Sequence, residues 1–169
     1  VTATREPTRA DVRALAELTH RAIATYRQWA RPDLPLPAPE DIELDWQIRL
    51  ARADTWARVG LDERGAIVAV AAFGAARASR RDPTLLPGVA QLSALFVDPD
   101  RRRSGWGRRL LALAEREMRA RGYERARLWT PEGAPAERLY ARAGWAPTGR
   151  RDLHPRFGGL PLVEYAKAL

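Results

Sequence analysis

The 169-residue chain contains no cysteine, which excludes a disulfide framework, a thiolate metal site and a cysteine nucleophile. Histidine is almost as scarce. His20 and His154 are the only two and stand far apart in the chain, so a histidine-built metal cluster is not expected. Of the 29 basic residues only Lys167 is a lysine, and the other 28 are arginines. No apolar run approaches the roughly 20 residues of a membrane span, and no signal-peptide pattern opens the sequence. The expectation is a cytoplasmic protein without a membrane partner. Internal repeats and linker-like stretches are also missing, so a single domain over residues 1–169 is expected.

What is present narrows the class further. Hydrophobic residues make up 46% of the chain, enough to build a core without staples. A net charge of +8 points to an anionic partner: nucleic acid, an anionic membrane or a polyanionic small ligand. Most arginines are interspersed with the 21 acids and read as a solvated surface. The cluster Arg101, Arg102, Arg103, Arg108 and Arg109 stands apart from that pattern.

Periodicity gives the order of elements. Residues 1–5 alternate weakly, as a short strand does. Thr8-Arg9-Ala10-Asp11 resembles a capping box with Asp in place of Glu, and apolar or small residues from Val12 to Tyr26 keep to one helical face. Residues 31–39 carry four prolines and form an irregular connection. Ile42, Trp46, Leu50 and Ala53 then mark a second helix. Two strands, 55–61 and 66–76, flank Asp62-Glu63-Arg64-Gly65 as a hairpin. A loop over 79–88 precedes a strand at 90–97, which Asp98-Pro99 ends. A helix runs from about 105 to 121. A strand at 126–130, a short helix at 135–143 and two closing strands complete the chain. The reading is an α/β (α+β) fold: a mixed, mostly antiparallel central sheet of about seven strands flanked by about four helices.

The chemistry concentrates between the strand at 90–97 and the helix that follows. A helix N-terminus offers unpaired N–H donors and the positive end of the helix dipole, which together make an anion site. Gly105 and Gly107 would let phosphate approach the backbone, and Arg102 could add a bidentate, charge-assisted contact. No nucleotide-hydrolysing P-loop is present, and Leu110 stands where a dinucleotide-binding fingerprint needs its third glycine.

The segment resembles motif A of the GNAT superfamily, the Gcn5-related N-acetyltransferases, whose R/Q-x-x-G-x-G/A signature is met by Arg102, Gly105 and Gly107. Leu95-Phe96-Val97-Asp98-Pro99 is similar to that family's strand before the turn. Ala136-Glu137-Arg138-Leu139-Tyr140-Ala141-Arg142-Ala143-Gly144-Trp145 is similar to its motif B, and residues 5–11 look like its usual start. The resemblance covers nearly the whole chain.

It implies a V-shaped cleft between two parallel strands ending near Val97 and Thr130. Acetyl-CoA would lie there as co-substrate, without a metal. Its pantetheine arm would run along Leu95, Phe96 and Val97, and its pyrophosphate would rest on the turn of Arg102, Arg103, Ser104, Gly105, Trp106, Gly107 and Arg108. The activity implied is transfer of an acetyl group to a primary amine of a small molecule by direct attack. The Val97 N–H would stabilise the oxyanion, and the Tyr140 hydroxyl would serve the departing thiolate.

The sequence departs from the family pattern twice. Gln91 stands about where many relatives carry a glutamate, and glutamine is no base near neutral pH. His20, Asp82 and His154 remain as candidates, alongside a water relay or an amine that arrives unprotonated. Gly133 occupies a position where relatives often carry an asparagine. The acceptor side would draw on Tyr26, Trp29, Trp46, His154 and Phe157, though an aromatic at helical spacing such as Trp46 is more often core. Acetylation of a protein N-terminus or lysine, and a non-catalytic acyl-CoA sensor, stand as alternatives. A nucleic-acid partner has only charge in its favour. A monomer and a homodimer are both compatible with the sequence.

Overall fold

Five of the six pairings in the sheet are antiparallel and one is parallel, and that one determines where a ligand can enter. The computed structural model describes residues 3–169. The strand β1 spans Thr4–Arg5, so Val1 and Thr2 of the expected first strand lie outside the described residues. A 3-10 turn, Arg9–Asp11, leads into α1 (Val12–Ala24), and a single turn, α2 (Tyr26–Trp29), follows it. Then come α3 (Pro39–Ala51), β2 (Trp56–Leu61), β3 (Ile67–Arg77), β4 (Leu85–Val97) and α4 (Trp106–Ala120). The chain closes with β5 (Arg125–Pro131), α5 (Ala136–Arg142), β6 (Ala146–His154) and β7 (Leu160–Ala168). The strand order is β1-β2-β3-β4-β5-β7-β6. No helix among the described residues is long and apolar enough to cross a membrane.

The element order read from periodicity holds, with two differences. The first helix breaks at Thr25, whose hydroxyl donates to the Ala22 carbonyl at 2.6 Å and starts the extra turn α2. The expected loop at 79–88 is shorter, because β4 already begins at Leu85. Its ladder with β3 resumes at Arg77↔Leu85 after a register shift, and Pro87 falls in this irregular stretch where a missing N–H costs least.

Strand alternation divides the core between the two faces of the sheet. Ala69, Ala71 and Phe73 of β3 and Leu92 of β4 pack against Leu110, Leu111, Ala114 and Met118 of α4. Val70, Ala72 and Val59 face Leu15 of α1 with Ile42 and Trp46 of α3. The Trp46 indole N–H donates to Thr19 Oγ1 at 3.0 Å, which ties α3 to α1. At the chain start, Asp11 accepts from the Thr8 N–H at 2.7 Å and from both ends of the Arg5 guanidinium.

The parallel pair is where the sheet opens. β4 and β5 are joined only from Val89↔Arg125 to Leu92↔Leu128. Beyond that, β4 follows β3 as far as Ala69↔Val97, while β5 follows β7 as far as Pro131↔Leu162. The two strands therefore splay into the V-shaped cleft expected from the sequence.

Candidate active site

Ladder geometry decides what β4 presents to the cleft. The Asp98 N–H donates to the Val68 carbonyl at 2.8 Å, so residues 68 and 98 form a hydrogen-bonded pair. The neighbouring pair Ala69↔Val97 and the pair Ala71↔Leu95 are then non-hydrogen-bonded. The N–H and C=O groups of Leu95 and Val97 accordingly turn away from β3 and toward the gap left by β5. Their side chains pack with the α4–α5 core, whereas Phe96 points to the opposite face.

The turn after β4 is tied at its start to α1. Arg21 bridges Asp98 at 3.0 Å and Asp100 at 2.7 Å, and the Asp98 carboxylate accepts the Asp100 N–H at 2.9 Å. Arg103 (φ 62°) and Gly105 (φ 86°) both adopt the left-handed region, which turns the backbone sharply into α4. The first helical bond runs from Arg109 N–H to the Gly105 carbonyl at 3.0 Å. The amides of Trp106, Gly107 and Arg108 precede that ladder and point out of the helix end. Beside this helix end lies a cavity of about 720 Å³ whose lining includes Arg64, Arg101, Arg108 and Arg109 together with Asp62 and Glu63.

The side chains of the turn are placed less uniformly than its sequence suggests. Trp106 is buried and seated on Gly60, where even a Cβ would fall 2.5 Å from its ring, so only its backbone is available to a ligand. Gly107 is small because Leu139 of α5 and Val97 pack over it; an added Cβ would meet Leu139 Cδ2 at 3.2 Å. Arg102 turns back to α1, its Nη2 donating to Thr25 Oγ1 at 2.6 Å. The Ser104 hydroxyl closes the turn on the Arg101 carbonyl at 2.5 Å. Arg103 and Arg108 are exposed.

Tyr140 of α5 is 6% exposed and belongs to the core packed against α4. Its ring lies against Trp145 and Tyr165, with centroids 6.2 and 6.0 Å away. Those two rings are themselves anchored. The Trp145 indole donates to buried Glu115 at 2.8 Å, Lys167 Nζ donates to the same carboxylate at 2.7 Å, and Lys167 also reaches the Ala143 carbonyl at 2.6 Å. Tyr165 donates to Glu137 at 2.6 Å, and the other oxygen of Glu137 accepts the Gly133 N–H at 2.6 Å. Glu137 thus holds the start of α5, where Gly133 offers no side chain. No hydrogen-bond partner for Tyr140 Oη is found among the described residues, and no partnerless polar side-chain atom among them is sealed from solvent. Burial pushes the pKa of Tyr140 well up, and nearby Tyr26 adds to the effect. Burial also raises Tyr26, to about 12, against the opposing pull of Arg102.

On the α1–α3 face of the split lies a second cavity of about 620 Å³. Of the aromatic and histidine candidates, Tyr26, His154 and Phe157 line it, whereas Trp46 is core and Trp29 only edges onto Tyr26 at 5.2 Å. The His154 ring lies tilted against Phe157, with centroids 4.0 Å apart. Its pKa falls to about 4, through burial first and then through Arg80 and Arg156. Gln91 is on the cavity floor, and its side-chain oxygen accepts from Arg127 Nε at 2.7 Å. Arg127 is 8% exposed and lies 3.7 Å from Glu164, itself 4% exposed, which also accepts from Thr148 at 2.8 Å and Arg150 at 3.2 Å. Sequence reasoning did not single out Arg127, Glu164 or Trp129 of this wall. His20 lies on α1 outside this lining, and Asp82 is spent on its own loop, where it accepts the Thr84 N–H at 3.0 Å.

No curated protein matches the sequence. Solved structures do match in fold. A ribosomal-protein-alanine N-acetyltransferase from Brucella melitensis is 24% identical with a TM-score of 0.74, covering 99% of each chain. The PaiA N-acetyltransferase from Thermoplasma acidophilum, solved in complex with coenzyme A, is 14% identical with a TM-score of 0.69, covering 100% of this chain and 99% of its own. A putative acetyltransferase from Salmonella typhimurium, solved with acetyl-CoA, is 18% identical with a TM-score of 0.72, covering 100% and 94%. Residues 16–145, which hold the turn, the split and α5, match the Acetyltransferase (GNAT) family, and the chain belongs to that family.

Proposed function

We propose that the protein transfers an acetyl group from acetyl-CoA to a primary amine of a small molecule by direct attack. The observation that carries this reading is the splay of β4 from β5, with outward amides of α4 at one end; the Tyr140 hydroxyl, for which no partner is found among the described residues, supports it. The bound co-substrate supplies an activated acyl carbonyl and a thiolate leaving group.

The chain's own groups have complementary tasks. The amides of residues 106–108 and the left-handed turn suit a pyrophosphate, with Arg102, Arg103 and Arg108 as nearby cations. The N–H of Leu95 suits a pantetheine carbonyl, and that of Val97 suits the oxygen on which charge develops. A raised pKa keeps Tyr140 protonated at all working pH values, so its O–H can donate to the sulfur as it departs. Gln91 cannot take the amine proton and is occupied by Arg127, which favours an amine that arrives neutral or loses its proton to solvent. The cavity of about 620 Å³ supports a small-molecule acceptor, since such sites span roughly 300–1,000 Å³.

The test is an acetyl-CoA turnover screen over an amine panel, following free thiol, with calorimetric titration of coenzyme A alongside. Turnover that requires an amine and falls in Tyr140→Phe supports the reading. Absence of coenzyme A binding sinks it.

A further inference from the structure

The acceptor-side cavity is strongly cationic. Seven arginines line it against two aspartates. Nearly all of that charge is already spoken for. Arg52 bonds Asp54 at 2.8 Å, Arg127 and Arg150 share Glu164, and Arg151 bonds Glu132. The two aspartates of the lining are engaged as well, Asp45 by Arg156 and Asp152 by Arg80 at 4.0 Å. Arg77 donates to the Pro83 carbonyl at 2.9 Å and braces the β3–β4 loop.

Arg49 is the exception. It projects from α3 over the Trp46 ring, 4.6 Å from the centroid, and the one side-chain hydrogen bond found for it among the described residues is a long one, 3.5 Å, to the Ser93 carbonyl. No carboxylate among the described residues lies within ion-pair distance of it. Burial depresses its pKa, opposed chiefly by the more distant Asp45. Its position is as telling as its isolation. Ser93 is the first residue of β4 beyond the last β4–β5 pair, Leu92↔Leu128, so this guanidinium sits at the acceptor mouth of the split.

We infer that the acceptor is an amine bearing a carboxylate, and that Arg49 is the residue that selects it by pairing with that carboxylate. The inference rests on the acetyl-transfer reading of the same cleft. A planar guanidinium with no carboxylate partner and most of its N–H groups unbonded takes a carboxylate in a bidentate pair, which leaves the amine of a compact amino acid to face the split. Polyamines and lysines of basic peptides meet a repulsive field at the same mouth.

The test uses calorimetric titration of the full chain saturated with coenzyme A, so that binding is read without turnover. Amino acids are compared with their primary amides and with spermidine. At least one amino acid should bind about tenfold or more tightly than its amide, the scale of one charge-assisted pair. Arg49→Gln should bring that ratio near one without altering coenzyme A affinity. Arg49→Lys, which keeps the charge and the contact with Trp46, should retain part of the ratio and guards against a folding artefact. Equal binding of acid and amide, no binding of any amino acid, or preference for spermidine overturns the inference while leaving acetyl transfer intact. Failure of the wild-type chain to bind coenzyme A refutes the acetyl-transfer reading instead.

Discussion

On the α4–α5 side of the split, the groups offered to an anion are chiefly backbone amides, held by a left-handed turn and a helix end. On the α1–α3 side the cations are arginine side chains drawn from α3, the β3–β4 loop, β5 and β6, of which Arg49 has no carboxylate partner among the described residues. The two sides also brace themselves differently. One has Glu115 bonded to an indole and a lysine under Tyr140; the other has Glu164 bonded to a threonine and two arginines under the cavity floor. Backbone groups survive substitution, so they suit a ligand part that never changes. Side chains can be exchanged one at a time, so they suit the part that distinguishes one acceptor from another.

The largest expected effect tests the brace. Glu115→Ala strips Lys167 and the Trp145 indole of a buried partner and should cost about 3 kcal/mol or more of unfolding free energy in urea titrations. A loss below about 1 kcal/mol would show that the α4–α5 side does not depend on this carboxylate. Next comes Tyr140→Phe, which keeps the packing on Trp145 and Tyr165. It should lower kcat about 100-fold with little change in the KM for acetyl-CoA. Full turnover would remove the tyrosine from the chemistry.

Gly105→Ala has open space around its added Cβ but must hold φ near 86°, which should cost about 1–2 kcal/mol and weaken coenzyme A binding. The contrast drawn above requires it to weaken binding more than Arg108→Gln does. The reverse order, read by titration, would show that side chains dominate there too.

The smallest effect is a pH dependence on the α1–α3 side. His154 has a folded pKa of about 4, whereas the unfolded chain should titrate near about 6.5. The unfolded state therefore takes up the proton first. The contribution of neutral His154 is fully present above about 6.5 and drains away as pH falls toward 4. The groups acting on it are Arg80, Arg156, Asp152 and Asp45. Against His154→Gln, the wild-type urea midpoint should decline more steeply over that window. Parallel curves would contradict the buried, neutral assignment.

The turn into α4 was the more legible region because it is local in sequence. Arg102, Gly105 and Gly107 stand within six residues, and a strand-to-helix turn with such glycines has few other uses. Tyr140 stood out as a candidate because the stretch similar to motif B runs unbroken to Trp145. Yet the same stretch hid a division of labour. Trp106 and Gly107 serve packing with their side-chain positions while offering only amides outward, a distinction that depends on Gly60 and Leu139 elsewhere in the chain.

The cavity on the α1–α3 face was nearly illegible. Arg49, Arg77, Arg127 and Arg150 come from four separate elements, and each alone reads as one more solvated arginine. Only the strand order, which sets β5 beside β4 and beneath the reach of α3, shows that Arg127 is buried and that the charges converge. The structure also gives Gln91 a task. It bonds the guanidinium on the cavity floor, a relationship between residues 36 apart in sequence.

The lone lysine has a chemical consequence of its own. Lys167 is pinned between Glu115 and the Ala143 carbonyl, with its side chain only 19% exposed. A protein that handles thioesters is constantly at risk of modifying itself, because exposed ε-amino groups react slowly with such donors unaided. Guanidinium groups do not, as they stay protonated. By carrying its positive charge on arginine and locking its one ε-ammonium into an ion pair, the chain offers almost no side-chain amine to adventitious acylation or to amine-directed labels.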